Sequence, residues 1–421
     1  MVIPRAEHTI SRRAINPNAL KVLYRLHDEG FNAYLVGGCV RDLLLGIPPK
    51  DFDIATNARP EEVRRLFKNC RLIGKRFRLA HILFGRDIIE VTTFRTHHEK
   101  AKEQHGKSHQ GMIVRDNVYG TIEDDAHRRD FRINALYYNI ADYSIVDYVG
   151  GISDIKNKVL HMIGDPSQRF LEDPVRLIRA VRFMAKLHIH ITPETEKPLS
   201  ELSHLLQNVS SARLFHEVLK IFTSGTTLET IQLLQKYHLV TQLFLYSKNS
   251  QPLLNIALAS TDQRINEGKT VSPAFLFAVL LWHPVLEHVA QLTDNGLPPY
   301  VAFEKALQDV IKQQTVRLAI PRLMQMSIRE IFLLQYRLGY RCGKQPYSLL
   351  EHPRFRAGYD LLILRAKAGE PIQELAEWWQ KFYTATPEQR EQLVSRIQKK
   401  SHSRKKNKFR RKKPQKTDLL N

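Results

Sequence analysis

Apolar positions recur with a helical period over Pro17–Glu29, where Leu20, Val22, Leu23 and Leu26 share one side. Asn16 suits the N-cap, Pro17 the first helical position, and Gly30 the end. A short apolar run, Ala33–Val36, predicts a strand entering a Gly37-Gly38 turn. Val40–Leu45 restarts as a helix that stops at Gly46, and Pro48-Pro49 is a breaker. Asp51–Ala55 predicts a second strand. Pro60-Glu61-Glu62 opens a helix to about Lys68, with acids in its first turn. Ala80–Phe84 and Asp87–Phe94 read as a hairpin around Gly85-Arg86. Thr96–Gln110 has no apolar period and reads as a loop, and its His97, His98, His105 and His109 are incidental to an exposed segment. Ile122–Leu136 is expected to be a helix, leading into a strand at Tyr137–Ile140. Past Gly150-Gly151 the β signals fade. From Asp173 the period is helical, broken near Pro193, Ser247–Pro252, Pro298-Pro299 and Pro346. The pattern predicts a mixed α/β head and an all-helical body. The polar stretch after Thr386 lacks the apolar residues to fold.

Composition adds a partner class. The chain has 421 residues, 43% of them hydrophobic, so it can bury a core. Its net charge of +21 points to a polyanion. The charge is uneven, because Arg396–Lys416 holds twelve Lys or Arg and no acid. Cys39, Cys70 and Cys342 match no zinc spacing and no disulfide framework, which fits a reducing, cytoplasmic setting. No apolar run reaches eighteen residues, so no transmembrane segment is expected.

The chemistry concentrates around Lys50-Asp51-Phe52-Asp53-Ile54. On a strand, side chains at i and i+2 point the same way. Two carboxylates on one side repel unless a cation joins them, and a hard divalent ion with oxygen ligands is suited to that. About ten residues upstream, Gly37-Gly38 can bring backbone N–H groups to a phosphate, with Arg41 as a charged clamp. A third carboxylate has two candidates. Glu90 projects opposite to Ile89 and Val91, and Asp130 follows Arg128 and Arg129. Arg176, Arg179 and Arg182 step by three along a helix that opens at Asp173-Pro174, and like charges on adjacent turns repel unless an anion sits among them. Asp173 and Arg176 offer an acceptor and a donor suited to a base edge. These parts together read as phosphoryl or nucleotidyl transfer.

Taken in order, Gly37-Gly38-x-Val40-Arg41-Asp42, Asp51-x-Asp53, Arg128-Arg129-Asp130-Phe131-x-Ile133-Asn134-Ala135, Glu172-Asp173-x-x-Arg176 and Ala212-Arg213-Leu214-Phe215-x-Glu217 resemble class II nucleotidyltransferases of the polymerase β superfamily. That class holds bacterial poly(A) polymerases and CCA-adding enzymes, and the motifs cover about the first 220 residues. Leu72–Ile82, the opening Val2-Ile3-Pro4-Arg5, Leu350–Phe355 and the basic tail resemble the poly(A) branch. The resemblance implies an α+β fold: a nucleotidyltransferase head with a mixed or antiparallel sheet over 1–150, a helical neck over 151–225, a helical RNA-binding body over 226–395, and a basic, disordered tail over 396–421. It implies template-independent addition of AMP from ATP to RNA 3′ ends. The alternatives are tRNA CCA addition and an RNA-binding protein with an inactive head. It further implies Mg²⁺ on Asp51 and Asp53, a catalytic Asp130, triphosphate binding by Gly37, Gly38, Arg41 and Arg129, and adenine reading by Asp173 and Arg176 supported by Arg179 and Arg182. RNA 3′ ends and ATP are the implied partners, RNA-decay proteins are further candidates, and a monomer is expected. Cys39 is assigned no chemistry.

Overall fold

The computed structural model describes residues 1–74, 78–96 and 118–397. The four loop histidines, residues 75–77 of the Leu72–Ile82 segment and the basic run from 398 onward lie outside the described residues. The chain forms two compact units, Met1–Val209 with Leu233–Gln242, and Ser210–Gln232 with Leu243 onward.

The first unit is built on an eight-stranded mixed sheet. Its strands are β1 (Val2–Ile3), β2 (Ala33–Val36), β3 (Asp53–Thr56), β4 (Cys70–Ile73), β5 (Leu79–Phe84), β6 (Asp87–Thr93), β7 (Leu136–Asn139) and β8 (Ile145–Asp147), in the order β1-β8-β7-β2-β3-β6-β5-β4. Only β3 and β6 pair in parallel; the other neighbours are antiparallel. One sheet face packs Leu35, Phe52, Ile54, Ile82, Ile89 and Val91 against Val22, Leu23, Leu26, Val40 and Val63 of three helices. Those helices are α1 (Pro17–Asp28), α2 (Gly38–Leu44) and α3 (Pro60–Leu66). The other face carries Val36, Ala55, Phe94 and Tyr137.

Local chemistry explains these starts. The Asn16 side chain accepts from the Asn18 and Ala19 N–H groups, at 2.7 and 3.4 Å, and Pro17 takes the first turn of α1. The β5–β6 hairpin forms as expected, with Phe84 opposite Asp87 and Gly85 at φ +64°.

The helix expected over 122–136 is shorter. It spans Ile122–His127. Arg169 Nη2 donates to the Arg128 and Arg129 carbonyls at 2.7 and 2.6 Å, and Phe131 bridges Met162. Tertiary partners thus claim backbone groups that helix continuation would use. A small parallel pair, β9 (Val159–Leu160) with β10 (His190–Ile191), also appears where strand signals had faded.

The second unit is helical among its described residues. Prolines near 252, 273, 299 and 346 sit in the first turns of helices, so the breaks in the pattern are helix starts. Pro273–Asp294 is long and apolar enough, by length and composition, to cross a membrane; Ala274 and Leu276–Trp282 within it are buried inside the unit, as a core helix requires. A second core joins Leu334, Leu349, Phe355, Trp378, Trp379 and Phe382. Val394 is buried in it, with Leu393 and Ile397 alongside, so folded chain extends past Thr386, further than composition predicts.

Candidate active site

The Gly37-Gly38 turn leaves β2 beside the start of β3. Leu35 pairs with Ile54, so one step on Val36 lies beside Asp53 and the turn follows directly. The Cys39 Sγ approaches the Asp53 carbonyl at 3.9 Å, which closes the same neighbourhood. Gly37 has φ +77°, where a side chain is strained. A Cβ there would also stand 3.2 Å from Arg129 Nη1, and one on Gly38 would stand 3.6 Å from Arg41 Nη2. The glycines therefore let two guanidinium groups close on the turn.

The strand expected from Asp51 begins at Asp53, so Asp51 lies just ahead of β3 and strand parity does not extend to it. Phe52 and Ile54 enter the core below the sheet, while Asp51 is exposed and Asp53 half-buried. Asp53 stands in register with Glu90 of β6, so these two carboxylates belong to one face. Glu90 also lies 3.5 Å from His81 Nε2.

Asp130 is engaged at both oxygens. Its Oδ1 accepts from the Phe131 N–H at 2.8 Å and Asn134 Nδ2 at 3.1 Å, and its Oδ2 accepts from Arg179 Nε at 2.7 Å. Burial pushes its pKa up, but Arg179, Asn134 and the Phe131 N–H outweigh that and hold it well below the carboxylate range. Of the two candidates for a third carboxylate, Glu90 is the one in register with Asp53, and Asp130 is the one that fixes an arginine.

The arginines are more deeply built in than an exposed clamp would be. Arg41 is buried. Its Nε and Nη2 donate to Asp42 Oδ1 at 2.8 and 2.6 Å, and its Nη1 donates to Asn134 Oδ1 at 2.6 Å. Arg176 and Arg182 are buried as well. Arg176 Nη1 donates to the Arg169 carbonyl at 2.7 Å and to Glu172 at 3.1 Å. Glu172 and Asp130 thus supply part of the negative charge that three stepped arginines need. Asp173 accepts weakly from the Val175 N–H at 3.4 Å, just ahead of the Val175–Leu187 helix.

Three groups escaped the sequence reading. Asp125 is a buried hub that accepts from Arg129 Nη2 at 2.9 Å, Arg129 Nε at 3.2 Å, the Tyr137 hydroxyl at 2.8 Å and Arg128 at 3.4 Å. Burial works against the Arg129 charge, but Tyr137 and Asp125 prevail and raise its pKa. Phe183 lies under the guanidinium groups of Arg41, Arg179 and Arg182, at 5.0, 5.3 and 4.6 Å. Arg169, beyond the two carbonyls already named, pairs with Glu172 at 2.7 Å, and burial beside Arg176 lowers it to about 10. Only Asp125, four residues before Arg129 on a helical stretch, left a signal in the sequence. Burial pushes the Cys39 thiol up to about 12, so it stays protonated and inert.

Among the described residues no cluster of three or more His, Cys, Asp or Glu donors stands ready for a metal. Asp51 and Asp53, two residues apart at the head of β3, nonetheless offer the carboxylate chemistry of a hard divalent ion, which commonly takes one or two protein carboxylates and completes its shell with substrate phosphates and water.

Residues 33–161 match the model of the poly A polymerase head domain. Residues 188–250 match a probable RNA and SrmB-binding site of polymerase A, and 295–414 match its arginine-rich C-terminus. Poly(A) polymerase I of Salmonella typhimurium is 48% identical over 94% of this chain and 88% of its own length. The chain belongs to the poly(A) polymerase family. As a member it is a nucleotidyltransferase, and the poly(A) branch favoured by the 72–82 segment agrees with the identities. The CCA-adding enzyme of Bacillus subtilis is 31% identical over 86% of this chain and 91% of its own length. The fold of this poly(A) polymerase family member is that of the Bacillus stearothermophilus CCA-adding enzyme solved with CTP, at a TM-score of 0.62 and 22% identity, over 93% of this chain and 100% of that one.

Proposed function

We propose that the chain extends RNA 3′ ends with AMP taken from ATP, without a template, in a cytoplasmic setting. The carrying observation is Asp53 at the head of β3, two residues after Asp51, beside a glycine turn flanked by Arg41 and Arg129. Mg²⁺ held by Asp51 and Asp53 would neutralise phosphate charge and acidify the 3′-hydroxyl. The RNA 3′-oxygen attacks the α-phosphorus in line, a new P–O bond forms, and the bond to pyrophosphate breaks. The first N–H groups of α2 donate to phosphate oxygens, with Arg129 fixed against Gly37 to meet them. Arg41 acts from behind Gly38 and holds the turn. Asp173 and Arg176 read the adenine edge; Glu172 and the Arg169 carbonyl set Arg176 in place. Arg182 packs on Phe183 behind them, and Asp130 positions Arg179 in the same wall. The head, neck and body divide the work into chemistry, base reading and RNA retention.

Purified protein given a labelled RNA primer should make long tracts with ATP and none with CTP. Addition confined to C, C and A at tRNA ends would overturn this reading. The carboxylate roles separate by metal titration. Glu90→Gln should lower turnover about 10- to 100-fold and raise the Mg²⁺ needed for half-maximal rate. Asp130→Asn should lower turnover without moving that requirement, because Asp130 acts through Arg179.

A further inference from the structure

Helix Arg322–Arg337 has two apolar stripes. One holds Ile328, Ile331, Phe332 and Leu334 and is buried. The other runs Met326, Leu333 and Tyr336 at helical spacing, continues to Tyr340 one turn on, and faces outward. Tyr336 and Tyr340 are 41% and 53% exposed, and Tyr300 of the Pro299–Arg317 helix is 42% exposed beside them. The rings form a row, with centroids 5.0 Å apart for Tyr300–Tyr336 and 5.8 Å for Tyr336–Tyr340. Beneath them the buried Phe303 stacks on Tyr336 at 6.3 Å and 29°. A notch of about 110 Å³ opens at the row, between Tyr300, Tyr336, Leu333, Arg337, Glu330 and His352.

We propose that this row is a stacking platform for unpaired bases of single-stranded RNA. The proposal rests on the RNA-extending reading above. Three exposed rings braced against each other and against Phe303 have little motion left to lose on binding. Every base has a π-face, so such a surface holds RNA without reading sequence, as untemplated extension of varied 3′ ends requires. Charge selects RNA over a protein occupant. From Arg322 to Lys344 five cations (Arg322, Arg329, Arg337, Arg341, Lys344) accompany one acid, Glu330, and Arg329 lies within the outward stripe itself. Glu330 already faces Arg354 at 3.4 Å; Glu304, which accepts from the Tyr300 hydroxyl at 3.2 Å, faces Arg329 at 3.8 Å, and Glu374 faces Arg341 at 3.5 Å, so Arg322, Arg337 and Lys344 carry the surplus of positive charge.

The test compares a single-stranded RNA oligonucleotide with the same backbone carrying abasic residues, by fluorescence anisotropy on the full chain. The wild type should bind the base-bearing RNA about tenfold more tightly than the abasic one. The Tyr336→Ala/Tyr340→Ala variant should lose that preference and bind both at the abasic level, while Tyr336→Phe/Tyr340→Phe should retain it. Wild-type and Ala proteins that discriminate equally would overturn the platform and leave the patch to a protein partner. Equal loss on both RNAs, with a lowered melting temperature, would assign the tyrosines a structural role and also overturn it. AMP incorporation by the wild type on the base-bearing RNA, run in parallel, reports on the catalytic reading alone.

Discussion

Asp53→Ala should reduce AMP incorporation by about a thousandfold or more while the protein still retains RNA. Electrostatic stabilisation of a transferring phosphoryl group at a metal contributes several kcal/mol, and each 1.36 kcal/mol is about a factor of ten in rate. Structure should survive the change. Asp53 contributes backbone pairing to β6, which alanine keeps, and its side chain leaves the core to Phe52 and Ile54. The melting temperature should therefore change little. Asp53→Asn should lose turnover as Ala does, because an amide binds Mg²⁺ poorly without its charge. Single-turnover incorporation with saturating ATP, set beside RNA binding by anisotropy, is the measurement. Turnover that persists in Asp53→Ala would remove the metal from this pair.

How much of this was legible beforehand depends on how local each determinant is. The strand that carries Asp53 is announced by consecutive residues, with Phe52 and Ile54 as core positions on either side of it, although it begins two residues later than the pattern predicts. The glycine turn is equally local, since Gly37 needs a positive φ whatever surrounds it. The Asn16 cap and the Gly85 hairpin follow the same logic. What stayed hidden was set at long range. Arg41 reads as a charged clamp on the phosphate, yet Asn134, 93 residues away, holds it behind the turn. The Ile122–His127 helix stops early because Arg169, some 40 residues on, takes the carbonyls of Arg128 and Arg129. Glu90 and Asp130 have equal claims as carboxylates in the sequence. The parallel pairing of β3 with β6 sets Glu90 against Asp53, while Arg179, Asn134 and the Phe131 N–H occupy Asp130. Phe183 looks like one more apolar residue on a helix until three guanidinium groups converge on it.

Asp125→Ala should be the most damaging single change to stability in the head. Asp125 is the buried partner of Arg129 and accepts the Tyr137 hydroxyl as well. Without it, Arg129 keeps its charge in a poorly hydrated site and Tyr137 keeps a hydroxyl with no acceptor there. Breaking a buried pair from one side costs about 3–5 kcal/mol. In a unit of this size each kcal/mol lowers the melting temperature by about 2–4 °C, so a fall of about 6–20 °C is expected. Activity should fail separately from stability. Below the new melting temperature KM for ATP should rise, because Arg129 no longer has the bond that holds it at Gly37. Asp125→Asn keeps the shape and one acceptor, so it should fall between the two. Acid separates the charge from the shape. Burial raises the Asp125 pKa, but Arg129 and Arg128 overcome this and bring it below the ordinary carboxylate value. A carboxyl depressed on folding stabilises fully above its unfolded pKa, about 3.9, and that contribution disappears as pH falls through the folded value. The wild type's lead over Asp125→Asn in urea unfolding should therefore stay constant from pH 7 to about 5 and shrink below about 4. A lead that does not change with pH would mean that Asp125 acts through packing, and that Arg129 owes its place at the turn to Tyr137.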